Sequence, residues 1–224
     1  TLKNTKDTLF NSQGKLINVM HFNGLQTNIL KNDLVPKHTI LSEEKKKAVM
    51  KKYNIHASMC WGAGKGILEG WNNPKLHAEL IADYERVIPL VAEAGYTNLI
   101  CFSGNRNGMP DDEGLKNCAD GLKKIMSLAE KHNVVLQMEL LNSKVDHADY
   151  MCDTSAWGVE LCKQIGSDNF KLLYDIYHMQ IMEGDIIRNI QDYHQYFGYY
   201  HTGGNPGRSV AEFSVTVSIP GCAV

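Results

Sequence analysis

The stretch FKLLYDIYHMQIMEGD, residues 170–185, decides how the chain is read. A short apolar run, Phe170, Leu172 and Leu173, stops at Asp175, and His178 follows three residues later. Asp185 stands at the start of the next amphipathic stretch. A buried strand rarely ends in a carboxylate unless something binds it, because an unpaired buried charge is expensive. Two explanations stand at this point. Asp175 caps the following turn or helix, or Asp175 and His178 face a metal or polar substrate over the edge of a sheet.

Outward from this stretch the same order of elements recurs. Residues 54–60 (NIHASMC) read as a strand that runs into the glycine-rich loop WGAGKGILEG. Residues 77–95 have helical spacing, with Leu80, Ile81, Tyr84, Val87, Ile88 and Val91 recurring at three and four. Pro89 kinks that helix or starts a second one, and Gly95 is placed to stop it. Strands follow at 97–102, 134–139, 170–174 and 197–201, and helices at 111–132, 155–165 and 185–196. Each strand is a nearly continuous apolar run, the pattern of a parallel sheet buried on both faces. The first fifty residues add a strand at 15–22 and a helix around 42–52, and residues 212–219 alternate like a strand. A barrel and an open doubly wound sheet both fit this count.

In either architecture the ligand sits beyond the carboxyl ends of the strands. Three successive strands end there on Glu139, Asp175 and His201. Neighbouring parallel strands bring such ends within several ångströms. Two carboxylates and an imidazole suit a divalent cation: the carboxylates favour Mg²⁺ or Mn²⁺, and the imidazole leaves Zn²⁺ or Co²⁺ open. No thiolate set suggests a structural zinc. Asn142, His178 and Arg208 add polar groups to the same rim, as do Ser103, Asn105 and Arg106. His178 also reads as a partner that orients a ligand, and Arg208 and Arg106 as surface-loop residues.

The 224 residues, 43% hydrophobic and 21% charged, suffice for one large core, so a single domain over 1–224 is expected. A net charge of −2 gives nucleic-acid binding little electrostatic support. The basic residues Lys45, Lys46, Lys47, Lys51 and Lys52 read as a solvated helix face beside Glu43 and Glu44. Six cysteines without a C-x-x-C pair point to a reducing, cytoplasmic setting. No apolar run reaches membrane-spanning length, and the polar first residues do not read as a signal peptide.

Four segments, LVAEAGYTNLICFSGNR (90–106), MELLNSKVDH (138–147), YDIYHMQIMEGD (174–185) and HTGGNPGR (201–208), resemble the hydroxypyruvate isomerase-like branch of the xylose isomerase-like barrels. That superfamily also holds ketose 3-epimerases, inosose dehydratases and endonuclease IV. The resemblance covers residues 53–208 and implies a (β/α)₈ TIM barrel. It implies that Glu139, Asp175 and His201 hold the divalent metal with a second Glu, that Glu139 is catalytic, and that His178 and Arg208 contact substrate. Asn142 is expected beside them as a further substrate contact. The implied chemistry is proton transfer between adjacent carbons of a small hydroxycarbonyl or sugar substrate through an enediolate. For a hydroxypyruvate isomerase the product is 2-hydroxy-3-oxopropanoate; ketose 3-epimerisation is the alternative.

The ends depart from the pattern. The family's second Glu closes the eighth strand, a helix and a strand after the NPGR turn. Here Glu212 lies four residues after Arg208, and no crossover helix fits between them. An incomplete barrel is therefore expected at the terminal strands. The first reading is an active metal-dependent isomerase or epimerase; the second is a degenerate barrel that binds metal or sugar without turnover or assembles only with a partner, as a homo-oligomer through exposed strand edges. An endonuclease IV-type activity fits worst, since it uses a larger His-rich cluster and a basic surface.

Overall fold

Alternating helices and strands are what the chain builds between residues 59 and 206. The computed structural model describes residues 8–10, 16–21, 26–27, 48, 51–52, 59–206 and 208. Helix α1, His77–Glu93, follows a short 3-10 turn at Pro74–Leu76, whose N-cap Asn73 accepts from the Lys75 N–H. It buries Leu80, Tyr84, Ile88 and Val91 at the expected spacing and runs through Pro89 as one element. The chain leaves the helix through Ala94 and then Gly95, whose φ of +84° suits a residue without Cβ. Helix α2, Asp111–Lys131, buries Leu115, Cys118, Leu122, Ile125, Met126 and Ala129 along one face.

After three short strands, β1 (Thr8–Phe10), β2 (Leu16–His21) and β3 (Gln26–Thr27), the strands of this region are β4 (Asn98–Cys101), β5 (Val135–Glu139), β6 (Phe170–Asp175) and β7 (Phe197–His201). They pair in parallel in that order. On the far side of β4, Cys60 makes an isolated parallel bridge to Leu99. The rest of the strand expected at 54–60 lies outside the described residues, apart from Met59. Helix α3, Ser155–Ile165, joins β5 to β6 and ends at Gly166 in the left-handed conformation. A Cβ on its Gly158 would meet Leu172 Cδ1 at 2.8 Å, so α3 lies close against β6. Strand side chains alternate between faces. Leu99, Leu136, Met138 and Leu172 are fully buried on the helix side. Gln137, Glu139, Leu173, Asp175 and His201 carry the opposite face.

Two short helices follow β6: α4, Ile176–Met182, directly after Asp175, and α5, Ile186–Tyr193, which passes into a 3-10 turn at His194–Tyr196. The strand expected at 15–22 forms as Leu16–His21, but it corrects the count of barrel strands. It pairs antiparallel with Thr8–Phe10 and Gln26–Thr27 in a separate three-stranded sheet. Of the helix expected around 42–52, residues 48, 51 and 52 are described and are helical. The strand expected at 212–219, with Glu212, lies outside the described residues. No helix among the described residues is long and apolar enough to cross a membrane.

Candidate active site

Strand register brings the three predicted ligands together. Asp175 pairs with His201 across β6 and β7, and Glu139 pairs with Leu173, two residues before Asp175. Ligand atoms of Glu139, Asp175 and His201 all lie within 4.8 Å of one another. His201 Nδ1 is 3.3 Å from Glu139 Oε1. Glu139 and Asp175 are buried, and His201 is half-buried.

Asp175 caps the helix that follows it and also stands in the triad. Its Oδ1 accepts from the backbone N–H groups of Tyr177 at 2.9 Å and His178 at 3.3 Å, capping α4. Its Oδ2 lies 3.6 Å from Arg208 Nη1 and 3.7 Å from His178 Nε2. Burial, with the Glu139 carboxylate nearby, raises the Asp175 carboxyl to about 6 against the pull of Arg208 and His201. Two acidic groups crowded in this way, with an imidazole beside them, form a donor set that fits a divalent cation, whose charge would relieve their repulsion.

Arg208, with a φ of +54°, lays its guanidinium carbon 4.2 Å from the centre of the Tyr177 ring. Its Nη2 stands 2.5 Å from His178 Nε2. His178 is buried, and burial, followed by the Arg208 charge, lowers it to about 2, so its ring is neutral. Asn142 lies behind His178. Its backbone N–H approaches His178 Nδ1 at 3.1 Å, and its amide nitrogen at 2.6 Å. Its carbonyl oxygen accepts from the backbone N–H groups of Val145 and Asp146, and its amide nitrogen also donates to Asp146 Oδ2. The hydrogen-bonding positions of this side chain are thus met within the protein.

The residues noted after β4 hold loops. Arg106 donates to Asp111 Oδ1 and Asp153 Oδ1 and to the carbonyls of Tyr150 and Met151. Ser103 Oγ accepts from the Cys152 N–H, and the Asn105 carbonyl accepts from Asn72. His147 and Tyr177 were not singled out by spacing, yet both rings stand 5.2 Å from the His178 ring. Each lies inside a quoted motif, and only the fold distinguishes it from its neighbours.

Helices alternating with parallel strands, and a carboxylate–imidazole triad at their carboxyl rim that could hold a metal, define the class: an α/β fold with its ligand site at the strand ends. The family model of the xylose isomerase-like TIM barrel matches residues 19–212, and the chain belongs to that family. Over 89 residues, 40% of this chain and 34% of the relative, it is 27% identical to hydroxypyruvate isomerase of Escherichia coli (strain K12). Over 84 residues, 38% of this chain and 28% of the relative, it is 31% identical to D-psicose 3-epimerase of Ruminiclostridium cellulolyticum. These matches span about a third of the curated relatives' own length. The crystal structure of AP endonuclease, family 2 from Brucella melitensis superposes with a TM-score of 0.68 at 19% identity, covering 77% of this chain and 68% of that one. At that identity it shows a common fold.

Proposed function

We propose that the chain is a metal-dependent isomerase of small hydroxycarbonyl compounds that converts hydroxypyruvate to 2-hydroxy-3-oxopropanoate. The observation that carries this reading is the convergence of Glu139, Asp175 and His201 at one rim, with His178 and Arg208 beside them. These three residues would hold a divalent cation, Mg²⁺ or Mn²⁺ ahead of Zn²⁺ or Co²⁺. The cation would supply positive charge to the substrate oxygens as negative charge develops on them. Glu139 takes a proton from C3 of hydroxypyruvate; the C–H pair becomes the C2–C3 double bond and the carbonyl pair moves onto the C2 oxygen. Return of the proton to C2, with the C3 hydroxyl proton passing to the C2 oxygen, gives the aldehyde. Arg208 pairs with the substrate carboxylate, and neutral His178 serves as a hydrogen-bond partner for a substrate oxygen.

The match to a D-psicose 3-epimerase favours ketose epimerisation as the second reading. Inversion at one carbon needs an acid–base group on each face of it, whereas transfer between adjacent carbons can use one. Among the described residues the triad's carboxylates are Glu139 and Asp175, and Asp175 is already tied to α4. This supports the isomerase. The test is incubation of the full chain with Mg²⁺ and hydroxypyruvate in D₂O, followed by NMR. Deuterium at C3 of the substrate and C2 of the product is expected. Absence of exchange while calorimetry shows the ion bound overturns the reading, and exchange at C3 of a ketohexose alone moves it to the epimerase.

A further inference from the structure

We infer that Asn142 is a positioning residue that fixes His178 as the tautomer with its proton on Nε2, so that the ring presents an N–H donor to the substrate side of the site. The observation is a conflict of donors around one ring. His178 Nδ1 faces the Asn142 backbone N–H at 3.1 Å and the Asn142 amide nitrogen at 2.6 Å. His178 Nε2 faces the Arg208 guanidinium at 2.5 Å. A ring accepting on both nitrogens would carry no proton, and a ring protonated on both would meet donors on both sides. One nitrogen must therefore carry the proton against a donor.

The choice follows from which neighbour can yield. The Asn142 N–H is fixed by the backbone. Its amide cannot flip to offer the oxygen instead, because that oxygen already accepts from Val145 N at 3.1 Å and Asp146 N at 2.8 Å. The amide nitrogen is held the same way round by Asp146 Oδ2 at 2.8 Å. All four hydrogen-bonding positions of this fully buried amide are used. Arg208, by contrast, reaches Nε2 through a long flexible side chain. Nδ1 is thus the acceptor and Nε2 carries the proton. The Nε2–H and the Arg208 guanidinium then converge as two donors, a pair complementary to one oxygen acceptor such as a carboxylate or hydroxyl of the substrate.

The inference rests on the proposed function only for His178 as a substrate contact; the tautomer is measured without turnover. In the full chain with ¹⁵N-labelled histidine, free of metal at neutral pH, a two-bond ¹H–¹⁵N correlation should show His178 Nδ1 bare and Nε2 protonated. Asn142→Asp sets a carboxylate against Nδ1 and should move the proton there. Asn142→Ala, which keeps the backbone N–H, should reduce the tautomer preference by about tenfold, the worth of one buried hydrogen bond. In the magnesium-loaded protein, Asn142→Asp should lower kcat by about 10²-fold while metal affinity stays within about twofold. Protonation of Nδ1 in the unsubstituted chain overturns the inference. So does an unmoved tautomer in folded Asn142→Asp. A chain inert toward hydroxypyruvate would sink the functional reading and leave the tautomer result standing.

Discussion

Asp175 stands directly across the β6–β7 pair from His201, the last residue of one strand facing the last residue of the next. Parallel pairing aims both side chains to the same face, so two donors on different strands share a site with no long-range loop to place them. Glu139 enters from β5 two residues lower in register.

Replacing Glu139 with Gln keeps the shape and removes one of the triad's two buried carboxylates. Metal affinity measured by calorimetry should fall at least about tenfold, and deuterium exchange by about 10²–10⁴-fold. The melting temperature of the metal-free chain should not fall, because one of two repelling acids has been neutralised. Unchanged metal affinity and exchange would remove Glu139 from the site.

Metal binding should weaken in acid. Asp175 is raised to about 6 by burial and by Glu139, so below that pH a proton competes with the cation for its carboxylate. Affinity should drop by about tenfold per pH unit below 6 and level off above it. Thermal stability is a poorer readout in this window. A raised Asp175 favours the folded state at low pH and loses that advantage as pH rises through 6. His178, lowered to about 2, favours the folded state above its ordinary value and loses that as pH falls. The two slopes oppose each other. A metal affinity that stays flat from pH 7 to pH 5 would take Asp175 out of the ligand set.

Arg106→Ala should destabilise the fold without touching the site. The guanidinium side chain is 22% exposed and Asp153 beside it 9%, so the substitution strands a largely buried carboxylate. Ser143 Oγ still donates to that carboxylate at 2.6 Å, which limits the loss. A cost of about 1–3 kcal/mol in chemical denaturation is expected, with metal affinity unchanged. A large loss of metal binding would mean Arg106 acts on the rim itself.

The strands and the rim were legible because they are local signals. Apolar runs that stop on Glu139, Asp175 and His201 can be found by eye, and parallel topology makes the stops coincide. The helix expected at 155–165 forms as α3 over those residues, and the structure shows Thr154 capping its start and Gly166 ending it. What the sequence hid depends on partners distant along the chain. The Arg106 clamp joins residues more than forty positions apart, as does the Ser103 contact to Cys152. Asn142 showed its polarity in the sequence but not its direction, because only the packed loop turns its amide away from the rim and onto His178. The strand at 16–21 was legible as a strand, but its antiparallel partners were not, since apolar alternation does not say which neighbour a strand will choose.

One residue ends β6, caps α4 and supplies a member of the triad. At Asp175, folding and ligation are therefore a single variable. A substitution there removes an oxygen from the site and also the acceptor for the first amides of the helix that carries Tyr177 and His178. It would disturb the triad and the substrate-facing pair together, and lost function alone would not say which had failed. The ligand role is better isolated by changes at Glu139 and His201, each the last residue of its strand at the rim.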